Sequence, residues 1–155
     1  MSGRDPAPRD KRLEAAAAFI RSLPHARELG MEVLEAADGS ATIALPYDAR
    51  FVGDPATGVL HGGVVTALLD STCGAAVLLH RAMTGSATAT LDLRIDYLRP
   101  APSGARVTAR AECFRVTRTV AFVRATAWAG SAEEPVATAA GAFTAGEPRA
   151  GAASR

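Results

Sequence analysis

The chain has 155 residues, 48% of them apolar, and a formal net charge of +1; that is room for one domain with a real core, not for two ordinary ones. The near-neutral balance gives no whole-chain reason to expect a nucleic-acid partner. Two cysteines, Cys73 and Cys113, are too few to staple a secreted domain, and no segment approaches the roughly 18 uninterrupted apolar residues of a membrane span, so a cytoplasmic protein without membrane contact is expected.

Residues 1–9 and 146–155 mix Pro, Gly and charge and read as disordered tails around a single domain spanning 10–145. Asp10 is placed to cap a first helix that runs to about Leu23, where Pro24 interrupts it. The apolar positions Ala16, Phe19, Ile20 and Leu23 recur at three and four, so one face packs. The Ala-rich run before Arg21 lacks a small-residue cleavage site and reads as a helix face rather than a signal peptide. A short turn at 25–30 closes on Gly30. Met31–Ala36 and Ala41–Pro46 read as strands, with Asp38-Gly39 between them as a hairpin signal. Residues 47–60 read as loop.

One long apolar helix follows, from about Gly63 to Met83, too apolar all round to lie on a surface. Beyond it the chain looks extended. Thr90–Leu98 alternates Leu91, Leu93, Ile95 and Tyr97 against Asp92, Arg94 and Asp96, the pattern of a strand with one buried face. Ala105–Val116, Thr119–Ala129 and Pro135–Ala145 complete six strands. The class is α+β. A helix apolar on every side, set among six strands, has to be wrapped by the sheet. Such a sheet leaves edges exposed, and pairing two copies edge to edge covers one of them, so a dimer is expected on physical grounds.

The chemistry lies in Gly58-Val59-Leu60-His61-Gly62-Gly63-Val64-Val65-Thr66-Ala67-Leu68-Leu69-Asp70. A turn opening a helix offers free N–H groups at its positive end, and glycine lets a substrate approach the backbone. The N–H of Gly62, with Gly63 as a second donor, is therefore a candidate oxyanion hole, worth about 3–4 kcal/mol per donor in the transition state. A carboxylate among leucines and alanines points to work. Asp70 is read as a nucleophile or as a general base on water; the competing reading is a structural carboxylate held by Ser71 or an arginine. His61 is either a turn histidine bonding the backbone or the residue that orders the loop, and the two are compatible.

His61 and Asp70 lie roughly 13–14 Å apart along a helix and about half a turn out of phase. Within one subunit they cannot meet at one reacting atom, which favours two half-sites, each completed by a second subunit. Cys73 stands about 18 Å from His61 on the same helix, too far for a Cys-His pair. The three scattered histidines lack metal-ligand spacing, and no phosphate-cradling Gly-rich loop is present.

Together, Asp54-Pro55-Ala56-Thr57-Gly58-Val59-Leu60-His61-Gly62-Gly63, the acid at Asp70, Asp92-Leu93-Arg94-Ile95-Asp96-Tyr97-Leu98-Arg99-Pro100 and Val120-Ala121-Phe122-Val123-Arg124-Ala125 resemble the phenylacetate-degradation (PaaI-type) branch of the hotdog-fold acyl-CoA thioesterases. The resemblance covers about residues 24–145. It implies a curved antiparallel sheet around one central helix, and hydrolysis of an aromatic or short- to medium-chain acyl-CoA in a homodimer or homotetramer. No cofactor or metal is implied, coenzyme A being part of the substrate. Carried onto this chain, Asp70 is the acid, Gly62 the oxyanion donor, and His61 orders the turn. Thr90 is the hydroxyl that assists the water, with Thr88 second. The family's usual Asn or Gln falls at Pro55, beside Asp54, which leaves the second carbonyl-polarising group open. Arg99, Arg118 and Thr119 become candidate contacts to coenzyme A phosphates, against the alternative of ordinary solvated surface. An enoyl-CoA hydratase or dehydratase and a non-catalytic acyl-CoA binder are the competing functions.

Overall fold

The computed structural model describes residues 8–83 and 86–146; the expected tails lie outside these residues, apart from Pro8, Arg9 and Gly146. In chain order the elements are α1 (Pro8–Ser22), α2 (Pro24–Glu28), β1 (Glu32–Ala37), β2 (Ser40–Leu45), a 3-10 turn (Ala49–Phe51), β3 (Val52–Asp54), β4 (Val59–Leu60), α3 (Gly62–Leu79), a second 3-10 turn (Arg81–Met83), β5 (Thr90–Tyr97), β6 (Val107–Val116), β7 (Val120–Trp128) and β8 (Pro135–Thr144). Six strands form one antiparallel sheet in the order β1-β2-β6-β7-β8-β5, with α3 packed on its inner face. This is the hotdog arrangement. Its edges are β1 and β5.

Period-two patterning explains why these segments are strands. On β7, Ala121, Val123, Ala125 and Ala127 are buried, while Phe122 and Arg124 face out. The Asp38-Gly39 turn joins β1 to β2 as expected, with Gly39 at φ 68°, where a side chain would be strained. The inner face is built largely of alanine, and α3 answers it with Gly74-Ala75-Ala76. Small side chains on both surfaces let helix and sheet approach closely. The bulky part of the core is supplied by Ile43, Leu45, Leu68, Leu69, Met83 and Phe143.

Five expectations need correction. Pro8 and Arg9 are already helical, so Asp10 sits in the first turn of α1 rather than capping it. The 47–60 segment is not plain loop: β3 and β4 form a small antiparallel hairpin within it. The central helix stops at Leu79, because His80 turns extended (ψ 131°) and the chain tightens into a 3-10 turn.

The sheet does wrap that helix, but from one side, so the expected all-round burial is corrected. Gly62–Leu79 has the length and mean hydropathy (1.6) of a membrane span, yet half of it is buried against the sheet and α1. Its other residues, among them Thr66, Ala67, Asp70 and Ser71, stay partly exposed. For the same reason the apolar face of β5 is not buried within the chain. Leu91 and Tyr97 are 57% and 52% exposed, and only Leu93 and Ile95 are partly covered. The periodicity was that of a buried face, but its cover does not come from this chain.

Candidate active site

The turn that starts α3 is fixed from several directions. Asp54 organises the β3–β4 hairpin beneath it: its carboxylate accepts from the Ala56 N–H (3.0 Å) and the Thr57 hydroxyl (2.7 Å), and its carbonyl accepts from Gly58 (2.8 Å). The Thr57 hydroxyl, then the Ala56 N–H, holds the Asp54 carboxyl below the usual carboxylate range. Each carboxylate oxygen thus takes one bond within its own turn, so Asp54 shapes the loop in which substrate contact is expected of it. The hairpin packs directly on His61. A Cβ at Gly53 would lie 2.8 Å from the His61 Cα, so position 53 has room only for glycine.

Backbone accounting around Gly62 is nearly complete. His61 is the N-cap of α3, with φ −60° and ψ 133°. Its N–H donates to the Phe51 carbonyl (2.9 Å) and its carbonyl accepts from Val64 (2.9 Å). Its imidazole Nδ1 accepts from the Gly63 N–H (2.9 Å), which leaves the ring proton on Nε2. The Gly62 carbonyl accepts from the Tyr97 hydroxyl (2.8 Å), and Thr66 Oγ1 lies close to both, 3.2 Å from the carbonyl and 2.5 Å from the Tyr97 oxygen. Only the Gly62 N–H has no acceptor among the described residues. It lies exposed at the positive end of an 18-residue helix. The N–H of Gly63, the expected second donor, points instead to His61 Nδ1.

Asp70 lies two turns further along α3, half-buried. Its partner is neither Ser71 nor an arginine. Thr90 Oγ1 donates to Asp70 Oδ1 at 2.7 Å. Thr88 is occupied elsewhere, donating to the Thr144 carbonyl (2.8 Å). Thr90 is aimed by a bulge at the start of β5, where the register to β8 shifts between Thr90 and Asp92. Gly141 makes the bulge feasible, because a Cβ there would sit 2.4 Å from the Asp92 carbonyl oxygen.

The two groups occupy opposite ends of the same strand. The start of β5 meets Asp70, and its end, through Tyr97, meets Gly62. Along α3 the separation is about 12 Å, as the helical spacing required. Beside Gly62 lies a mostly apolar cavity of about 300 Å³, walled by Leu60, Val65, Tyr97, Leu98 and Pro100.

The expected phosphate contacts divide. Arg99 is turned onto the β7–β8 connection, donating to the Pro135 and Glu134 carbonyls and pairing with the Glu134 carboxylate (3.4 Å). Arg118 and Thr119 sit in the β6–β7 turn, at the same end of the sheet as Thr90. They lie two strands across, roughly 10 Å away. The Arg118 side chain is exposed and has no partner among the described residues.

Cys73 is no nucleophile. Burial, with Asp70 and Cys113 adding to it, pushes its thiol up to about 12. No cluster of three His, Cys, Asp or Glu residues able to hold a metal occurs among the described residues.

Sequence reasoning did not assign roles to Gly53, Thr66, Tyr97 or Gly141. Tyr97 was read as one more apolar-face residue, since its period-two position carries no sign of a hydroxyl reaching another element.

Comparison with known proteins adds four findings. Residues 57–136 match the family described as the thioesterase superfamily. The medium/long-chain acyl-CoA thioesterase YigI of Escherichia coli is 33% identical over 118 residues, spanning 68% of this chain and 76% of that protein. Among solved structures, a Pseudomonas aeruginosa protein is 42% identical with TM-score 0.76 over 86% of this chain and 98% of its own. The E. coli PaaI protein shares the fold at TM-score 0.77 and 21% identity, over 90% and 97% of the two chains.

Proposed function

The chain belongs to the thioesterase superfamily and is a thioester hydrolase; from that premise we propose that it hydrolyses acyl-CoA at two equivalent sites, each shared by two copies of the chain. The observation that carries this reading is the placement of one unused backbone donor, Gly62 N–H, and one hydroxyl-held acid, Asp70, at opposite ends of an exposed edge strand. Antiparallel pairing of β5 with β5 of a second copy, about a two-fold axis, sets the end of one strand beside the start of the other. Gly62 of one copy then faces Asp70 of the other. The same pairing covers Leu91, Leu93, Ile95 and Tyr97, which supplies its driving force.

In the proposed reaction the thioester carbonyl oxygen accepts from the Gly62 N–H, and this bond strengthens as the oxygen gains negative charge. Asp70 acts in one of two ways. As a general base it takes a proton from water, whose oxygen attacks the carbonyl carbon; the tetrahedral oxyanion collapses, the C–S bond breaks and coenzyme A leaves as thiolate. As a nucleophile its carboxylate displaces the thiolate directly, forming an anhydride that water then opens. Thr90 orients the carboxylate in both.

Arg118 and Thr119 are the phosphate contacts we favour, and the cavity beside Gly62 receives apolar groups of the substrate. A hydratase pairs histidine with acid to move protons on the acyl chain; here the Nδ1 of His61 is committed to Gly63, which favours hydrolysis.

Release of free thiol from aromatic, short-, medium- and long-chain acyl-CoAs tests the proposal, with Asp70→Asn as the paired variant. Turnover of at least one class is expected, reduced about 10²- to 10⁴-fold by Asp70→Asn. Unchanged turnover in that variant would remove the acid from the mechanism. Single turnover in ¹⁸O-water identifies a nucleophile whose anhydride is opened at the Asp70 carboxyl carbon, since that route alone leaves an Asp70 oxygen in the acid product and ¹⁸O on Asp70.

A further inference from the structure

We infer that Tyr97 is a positioning residue for the oxyanion donor, its hydroxyl locking the peptide next to Gly62 from the edge strand. This rests on the reading of the Gly62 N–H as the group that holds the thioester oxygen. The peptide between Gly62 and Gly63 is held at both ends. Its N–H donates to His61 Nδ1, and its carbonyl accepts from the Tyr97 hydroxyl (2.8 Å), whose oxygen in turn accepts from the Thr66 hydroxyl 2.5 Å away.

Two consecutive glycines at a helix start have the softest backbone available. The Gly62 N–H belongs to the preceding peptide, whose carbonyl accepts from Val64 (2.9 Å); fixing the Gly62–Gly63 peptide removes the rotation about Gly62 that would otherwise let this turn shift. A donor helps only where it already points at the developing charge. The His61 side of the clamp is local, two residues away. The Tyr97 side comes from another element altogether, 35 residues on. Its ring also packs on Gly62: a Cβ there would lie 3.6–3.7 Å from Tyr97 Cε1 and Cζ.

The position of Tyr97 gives β5 a double role. Thr90, its first residue, holds the acid, and Tyr97, its last, holds the oxyanion turn; the two backbone positions are roughly 23 Å apart along the strand, and their side chains reach groups about 12 Å apart on α3. In the two-fold pair, each reaction centre is framed by Thr90 from one strand and Tyr97 from the other. Strand pairing and donor alignment are then one event. Tyr97 acts through Gly62 and touches no reacting atom.

The test compares Tyr97→Phe, Thr66→Val, Thr66→Ser and the Tyr97→Phe/Thr66→Val double variant in the full chain, by thiol release on the best acyl-CoA of the screen. Tyr97 is 52% exposed and phenylalanine keeps the ring, so thermal midpoint and oligomeric state should hold. The expected result is kcat lowered about tenfold, the size of one lost hydrogen bond expressed only in the transition state, with KM within about twofold. Thr66→Val should behave alike and Thr66→Ser should restore kcat. The double variant should be no worse than either single one, because the two hydroxyls form one network.

Unchanged kcat in Tyr97→Phe, a loss confined to KM, or fully additive losses would overturn the inference. Asp70→Asn separates this from failure of the underlying reading. If Asp70→Asn is inactive while Tyr97→Phe is wild-type, only the positioning role falls; if Asp70→Asn keeps full turnover, the site itself is wrong.

Discussion

Gly62→Pro is the most discriminating single change available to this site. Proline has no N–H, so the substitution deletes the proposed oxyanion donor and adds little else. The surrounding backbone accepts it. Gly62 is the first residue of α3, the helical position where proline is best tolerated. The residue before a proline must be extended, and His61 already is, at ψ 133°. The lost N–H bonds nothing among the described residues, and a Cβ at 62 meets only the Tyr97 ring at ordinary contact distance.

Stability should therefore change by less than about 1 kcal/mol, and in the favourable direction, since proline narrows the unfolded ensemble. For a chain of this size that is a shift of a few degrees in thermal midpoint at most. Loss of one oxyanion donor costs about 2.7–4 kcal/mol in the transition state, or roughly 10²–10³ in kcat. Thermal unfolding and thiol release on the same preparation read the two numbers. A stable variant with near wild-type kcat would refute the role of Gly62. Mixing extends the test to the shared site. Gly62→Pro and Asp70→Asn chains, unfolded and refolded together at equal amounts, should regain about a quarter of wild-type activity, because half the dimers are hybrids with one intact site each. No recovery would place donor and acid in the same copy.

Two further outcomes follow from contacts elsewhere. In Gly63→Ala the new Cβ would lie 2.9 Å from His61 Nδ1, so the imidazole has to swing off its cap; lost capping of about 1 kcal/mol is offset by alanine's gain over glycine in a helix. Thermal midpoint should barely move while kcat falls, and a variant keeping full kcat would show that His61 need not hold the turn. Cys73, with its thiol pushed up to about 12 by burial, should resist alkylation in the folded protein at pH 8 and react once unfolded. Its folded value is raised, so the stability it contributes is complete below about pH 9 and declines as pH rises toward 12; denaturant melts between pH 8 and 11 of the chain and of Cys73→Ala should show the decline in the first and a shallower one in the second.

The α+β class, the order of the elements, the Asp38-Gly39 hairpin and the pairing of a glycine turn with an acid at helical distance were all legible in the sequence. Each depends on residues near one another in the chain, through periodicity, turn chemistry and the fixed rise of a helix. The same arithmetic puts His61 and Asp70 beyond mutual reach within one copy, which is the ground on which a shared site is proposed. What only the tertiary structure decided lies between segments far apart in sequence. Thr90 meets Asp70 because a bulge, made possible by Gly141 on β8, turns its hydroxyl inward. Asp54 and Arg99 look like ligand contacts in the chain, yet one folds its own turn and the other ties down the Glu134 segment. Tyr97 looked like an apolar strand residue until strand order placed its hydroxyl on Gly62. The alternating apolar face of β5 is the clearest case. Pattern says that such a face is buried, but burial depends on what packs against it, and within this chain α3 is already occupied by the strands at the middle of the sheet.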